Sequence, residues 1–178
     1  MDKRKAANER VKDRLFSALI EFAGQKDWSK LTVTELIQKS GVARASFYRN
    51  FKSVEELIDY GIQRMALRYH EGKTYSDEDF HSREAMLYKF RFYRENAALV
   101  LAFHRAKMAV TLLDIITDCE IEACGDMPVN SISKYELYYF SGAFYNMMLS
   151  WLESGTKETP EAMADEFLRI AGTPSSPI

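Results

Sequence analysis

Cysteine, glycine and proline are all scarce in this sequence of 178 residues, numbering two, eight and four. Cys119 and Cys124 are too few for a disulfide framework and form no C-x-x-C pair. Five positions apart, they diverge by about 140° around a helix, which argues against a redox or metal switch. Long apolar runs are missing as well, none approaching the ~18–20 residues needed to span a bilayer. Met1-Asp2-Lys3-Arg4-Lys5 leads into polar residues, which is not the pattern of a secretory signal. A reduced, cytoplasmic setting is therefore expected, with no membrane partner. His70, His81 and His104 lack metal-ligand spacing. The sequence also lacks a glycine-rich nucleotide loop and a nucleophile–base pair. The expectation is a protein that is not an enzyme, with no metal and no cofactor.

Apolar residues make up 47% of the chain, ample for a packed core, and the net charge is only −2. The charge is unevenly spread. Residues 1–52 carry 12 Lys and Arg against 6 Asp and Glu, and the rest carries 12 against 20. A basic head on an acidic body suits a polyanion at one end, although chance clustering on a solvated surface would look the same.

Nearly every segment has helical period, and no alternating strand pattern or internal repeat interrupts it. Val11, Leu15, Ala18, Leu19 and Phe22 form one stripe, stopped at Gly24, with Trp28 and Leu31 placed to pack against it. Thr32-Val33-Thr34-Glu35 is a capping box opening a short helix, Gly41 supplies a turn, and a third helix runs from about Ala43 to Asn50. Ser53-Val54-Glu55-Glu56 opens a fourth, with the stripe Leu57, Gly61, Met65 and Tyr69. Further helices are expected at about Ser82–Arg94, from Ala97 to Cys124 as one or two, at Ser133–Ser154, and from Pro160 to near Gly172 with Thr159 as cap. Residues 126–131 read as a loop and the tail from Thr173 as disordered. The fold class is all-α with about nine helices. It divides into a three-helix helix-turn-helix domain (1–52) and a helical regulatory and dimerisation domain (53–178).

A short helix, a glycine turn and a second short helix can lay a recognition helix in the DNA major groove. At about 100° per residue, Arg44, Ala45, Tyr48 and Arg49 share one arc of the third helix. Phe47 and Phe51 fall on another, with Ser46 and Asn50 at the edges. Arginine can bridge O6 and N7 of guanine, a hydroxyl or helix-end amide can bind phosphate, and the small Ala45 can touch a thymine methyl. The plainer reading is a helical hairpin with a solvated arginine face. The tract Gly41-Val42-x-Arg44-x-Ser46-Phe47-Tyr48-x-x-Phe51, followed by Ser53-x-Glu55-Glu56-Leu57, closely resembles the N-terminal domain of the TetR (tetracycline repressor) family. The resemblance implies that Thr34 and Tyr48 contact phosphate, and that Arg44, Ala45, Ser46 and Arg49 face bases or nearby backbone. The chain departs from the pattern at three places. Ala43 stands where Ser or Thr is usual, weakening the cap by about 1 kcal/mol. Val54 replaces a lysine, a phosphate contact that Lys52 can substitute. Asn50 replaces a common His or Tyr, with an effect on sequence preference.

In the C-terminal half, Tyr138, Gly142, Tyr145, Leu149 and Leu152 follow 4-3-4-3 spacing, and Met163, Phe167 and Ile170 give the last helix a similar face. Such faces either pair two copies as a four-helix interface or bury within one subunit. The run from Gly142 through Trp151-Leu152, Gly155 and Pro160-Glu161 to Met163-Ala164 is similar to the C-terminal domain of a TetR subgroup common in Gram-positive bacteria. That similarity implies homodimerisation through the last two helices and no particular ligand, since some relatives work with protein partners. Phe90, Tyr93, Phe103, His104, Tyr139, Phe144 and Met148 are candidates for an effector pocket, with ordinary core packing as their plainer role. The expected function is a dimeric repressor of palindromic double-stranded DNA, released by an unidentified small molecule. The alternative is a regulator controlled by a protein partner and acting as an activator.

Overall fold

The computed structural model describes residues 3–23, 25–76, 79–124 and 133–172. Gly24, the expected loop at 126–131 and the expected disordered tail lie outside them. Among the described residues the chain forms nine α-helices and one 3-10 turn: α1 (Lys3–Glu21), the turn Trp28–Lys30, α2 (Val33–Ser40), α3 (Arg44–Asn50), α4 (Val54–Gly72), α5 (Arg83–Glu95), α6 (Ala97–Arg105), α7 (Ala109–Cys124), α8 (Ser133–Glu153) and α9 (Pro160–Ala171). None of these helices is long and apolar enough to cross a membrane.

Packing divides the chain into two units, the first comprising residues up to Gly72 with Ala102–Lys107, the second Lys73–Leu101 with the residues from Met108 onward. The sequence expectation drew its line at 52/53, ahead of α4. The buried stripe Leu57, Gly61, Met65 and Tyr69 joins α4 to the first unit. Gly61 is the point of close approach, because a Cβ there would lie 2.1 Å from the Phe16 ring of α1. Arg64 adds an ion pair to Asp13. Leu15, Ala18, Leu19, Trp28, Leu36 and Phe47, all at most 3% exposed, complete this core. Trp28 meets the ring of Phe103, at the end of α6, edge-on at 5.2 Å.

The one long apolar segment from Ala97 resolves into two helices. Lys107 takes a left-handed conformation (φ 65°) between α6 and α7, and its N–H donates to the His104 carbonyl. No glycine or proline marks this break in the sequence.

In the second unit α5 packs on α9, and α7 on α8. Ser82 caps α5, its Oγ accepting from the Ala85 N–H at 3.1 Å, and Thr159 caps α9 with Pro160 in the first turn. Gly155 (φ 84°) ends α8, where the Thr156 N–H reaches back to the Trp151 carbonyl at 3.0 Å. The core is aromatic: Phe90 lies 5.2 Å from Phe144, 5.5 Å from Trp151 and 6.4 Å from Phe167. Arg83 grips Asp165 through two hydrogen bonds of 2.6 and 3.0 Å, tying α5 to α9 across the surface.

Candidate nucleic-acid interface

The local chemistry of residues 32–57 sets the angle and exposure of α3. Thr32 Oγ1 accepts from the Glu35 N–H at 3.3 Å, and Glu35 accepts from the Thr32 N–H at 2.9 Å, closing the reciprocal box that starts α2. Lys26 also donates to Glu35 at 2.6 Å. That ammonium and the two Thr32 donors hold the Glu35 carboxyl at a pKa of about 2, below its ordinary 4.5. At the other end of α2, Arg14 of α1 donates to the Ser40 carbonyl at 2.6 Å, satisfying an orphan acceptor of the helix terminus. Gly41 follows with φ 63°, ψ 22°, a conformation open to glycine, and a Cβ there would lie 2.9 Å from the same guanidinium. The sequence offers no sign of this Arg14 contact, which spans 26 residues.

Ala43 occupies the cap of α3 in extended conformation (φ −64°, ψ 142°) and makes no side-chain cap bond. Its backbone already suits a capping hydroxyl. Ala43→Ser is therefore expected to stabilise the first unit by about 1 kcal/mol, the usual worth of such a cap. A urea midpoint no higher than wild type would contradict this.

Phe47 (0% exposed) and Phe51 (4%) anchor α3 in the core, their rings 6.1 Å apart, and Phe51 meets Tyr60 of α4 at 5.5 Å. The opposite face is open: Arg44, Ala45, Tyr48 and Arg49 are exposed, with Ser46 half-buried beside them. Thr34 of α2 is exposed alongside and accepts a long 3.4 Å bond from Arg44. Arg44 also lies over the Tyr48 ring at 5.5 Å and donates to its hydroxyl at 3.4 Å. These are weak ties at the limit of hydrogen-bond geometry, so an incoming base edge or phosphate displaces them at little cost. Asn50 is half-buried and its amide donates to the Ser46 carbonyl at 2.8 Å, turning the group back onto its own helix. Lys52 is exposed, and its backbone N–H donates to the Glu56 carboxylate at the start of α4.

The seven candidate pocket residues are divided between the two units. Phe90, Tyr93, Phe144 and Met148 are buried in the second unit, with Phe90, Tyr93 and Phe144 in ring-to-ring contact. Phe103 and His104 belong by packing to the first unit, and Tyr139 is 54% exposed. The proposed dimer face is also redistributed. Tyr145, Leu149, Leu152, Met163 and Phe167 are buried in the protomer, and Phe167 meets the Phe144 ring at 5.9 Å. Tyr138 and Ile170 are exposed and Gly142 half-buried.

Residues 15–60 match the family model described as bacterial regulatory proteins, tetR family, and residues 81–172 match a transcriptional regulator C-terminal region. The chain is 24% identical over 177 residues to the HTH-type transcriptional regulator YxbF of Bacillus subtilis, and the match covers 90% of this chain and 44% of that protein. The chain thus spans less than half the length of that relative. In fold it resembles a TetR transcriptional regulator from Streptococcus agalactiae (TM-score 0.58, 17% identity, covering 94% of this chain and 97% of that one). It also resembles DhaS, an activator of a dihydroxyacetone kinase operon (TM-score 0.54, 15% identity, covering 90% and 93%). With an anchored helix-turn-helix at one end and both family models matched, the chain belongs to the tetR family of bacterial transcriptional regulators.

Proposed function

We propose that this chain is a dimeric, cytoplasmic repressor that reads a two-fold operator through α3 and leaves it when the C-terminal unit is engaged. The observation that carries this reading is the exposed face of Arg44, Ala45, Tyr48 and Arg49 on a helix held from behind by Phe47 and Phe51. Arg44 and Arg49 meet base edges, Thr34, Tyr48 and Lys52 the phosphates, and Ala45 and Ser46 allow close approach. Asn50 supports the helix from within.

Dimerisation supplies the symmetry that an operator of two half-sites requires. Tyr138, Gly142 and Ile170 support a surface for it on α8 and α9. A mid-helix glycine costs about 1 kcal/mol relative to alanine, and at Gly142, among the described residues, nothing beyond its own stretch of helix lies within 4 Å of where a Cβ would sit. That opening suits the backbone of a second copy.

For release, the division of α6 is the relevant feature. Residues 97–101 group with the second unit and 102–105 with the first. An effector acts if it prefers one of two states of the protein. The second reading, a protein partner and an activating role, is favoured by the exposed Tyr135 (70%) and Tyr139 (54%) on α8, an aromatic surface of the kind partners use.

Selection of bound duplexes from random DNA by the purified protein tests the first reading. The expected product is a palindrome whose half-site centres lie about 10 base pairs, or a multiple, apart. No enrichment with the protein alone, but enrichment once a second protein is added, would establish the second reading instead.

A further inference from the structure

The short helix α3 is held unevenly along its length. Phe47 and Phe51 fix its middle and its end in the core, and the Phe51 N–H closes the last turn on the Phe47 carbonyl at 2.9 Å. The first turn has no comparable tie of its own. Ala43 offers no side-chain acceptor to the opening N–H groups, and its carbonyl serves those of Ser46 at 2.8 Å and Phe47 at 3.1 Å. Yet this turn carries Arg44 and Ala45. In a helix-turn-helix the N-terminal residues of the recognition helix are the ones that meet base edges. The end of α3 that must be placed best is the end its own cap leaves free.

The restraint comes from α1. Arg14 donates through Nη2 to the carbonyl of Ser40, the last residue of α2, at 2.6 Å. Ser40 is buried, and its Oγ accepts from the N–H of the buried Val42 at 3.3 Å. Between them Gly41 lets the guanidinium approach, since a Cβ there would lie 2.9 Å from Nη2. One side chain thus braces the three residues that lead from α2 into α3. A cation is favoured at the C-terminal end of a helix, and a charged donor makes the stronger kind of hydrogen bond. Lys39 pairs with Glu21 at 2.7 Å, so α1 grips the end of α2 at a second point. Arg14 is itself an exposed residue, so its replacement removes the brace without opening the core.

We propose that Arg14 is a positioning residue for operator reading. By holding the Ser40–Val42 turn from outside, it does for the first turn of α3 what a cap at Ala43 would do, and so sets where Arg44 and Ala45 meet the base edges. It acts through the turn and does not touch DNA. The inference rests on the reading of α3 as the DNA-reading helix, and adds a determinant of selectivity that lies on neither α2 nor α3.

The test uses the full chain, Arg14→Met, which keeps an apolar stem without charge or donors, and Arg14→Met combined with Ala43→Ser. Selectivity is the ratio of affinities for two duplexes. One carries a sequence the wild-type protein enriches from random DNA; the other is its scrambled counterpart. Both are titrated from about 50 to about 200 mM KCl, at a temperature where circular dichroism shows each variant folded. Arg14→Met is expected to lower the ratio about fivefold, the factor corresponding to one net hydrogen bond, with an unchanged slope of log K against log salt. Adding Ala43→Ser should restore most of that loss, because a cap bond then orders the same turn. The same substitution in the wild-type background should gain less, as two braces on one turn are not additive. An unchanged ratio with only a lower melting temperature overturns the proposal. So does equal weakening on both duplexes with a slope smaller by about 0.9, which would make Arg14 a phosphate contact. A loss of selectivity that Ala43→Ser leaves untouched overturns it as well. Arg44→Ala, run in parallel, separates the two levels. Lost selectivity there with an intact ratio in Arg14→Met removes this inference alone, and intact selectivity there removes the DNA-reading assignment with it.

Discussion

Replacing Arg44 by alanine is expected to lower affinity for the enriched duplex by about 5- to 150-fold, corresponding to ~1–3 kcal/mol for one bidentate arginine–guanine contact. Binding to a scrambled duplex should change far less, since phosphate contacts carry that interaction. The physical basis is how lightly Arg44 is held. Its side chain is exposed and its partners Thr34 and Tyr48 lie at 3.4 Å, so alanine removes no packing from the core. Melting temperature and dimer mass are accordingly expected to match wild type. Arg49→Ala belongs to the same class. If both variants discriminate between the two duplexes as well as wild type does, α3 is not reading bases.

The opposite result is expected one face around the same helix. Phe47 is fully buried between Tyr48 and Phe51, with ring centroids at 5.3 and 6.1 Å. Phe47→Ala removes that packing and leaves a cavity, at a typical cost of roughly 3–5 kcal/mol. Domains are commonly stable by only ~5–15 kcal/mol, so a first unit near the lower end would keep only about 0–2 kcal/mol and populate the unfolded state. DNA binding would weaken on enriched and scrambled duplexes alike, as a consequence of unfolding. Phe47→Leu keeps most of the apolar volume and should recover most of both stability and binding. Circular dichroism through a thermal scan, followed by titration at a temperature where each variant is folded, separates the two effects. An alanine variant that melts within a degree or two of wild type would show that α3 is not anchored through this ring.

These two arginines and two phenylalanines were legible in the sequence because a helix of known start has a known angular order, and the start was marked by Gly41 and by the tract up to Phe51. Capping boxes were legible for the same reason: Thr32 with Glu35 lies within one turn, and so does Thr159 with the Ala162 N–H. Contacts that span the chain were not. Arg14 on Ser40 and Phe16 against Gly61 join residues 26 and 45 positions apart, and nothing in the local pattern of either partner announces the other. The C-terminal half was harder for a different reason. Periodicity shows that Tyr145, Leu149, Met163 and Phe167 share helix faces, but a face that closes the protomer and one that meets a second copy have the same period. In the structure all four are buried within the protomer, and Phe167 meets the Phe90 and Phe144 rings.

By itself the sequence determined the helical class, the ends of most helices, the exposed face of α3 and the excess of basic residues around it. These follow from backbone propensity, capping and angular spacing, all of which act within a few residues. Tertiary structure alone decided three things. It split the segment from Ala97 at Lys107, without glycine or proline, where Phe103 at the end of α6 packs on Trp28 while α7 packs on α8. It grouped Phe103 and His104 with the first unit. It joined α4 to the helix-turn-helix through Gly61. Each depends on which distant surface a helix meets, a choice made by shape and buried area that no local pattern encodes.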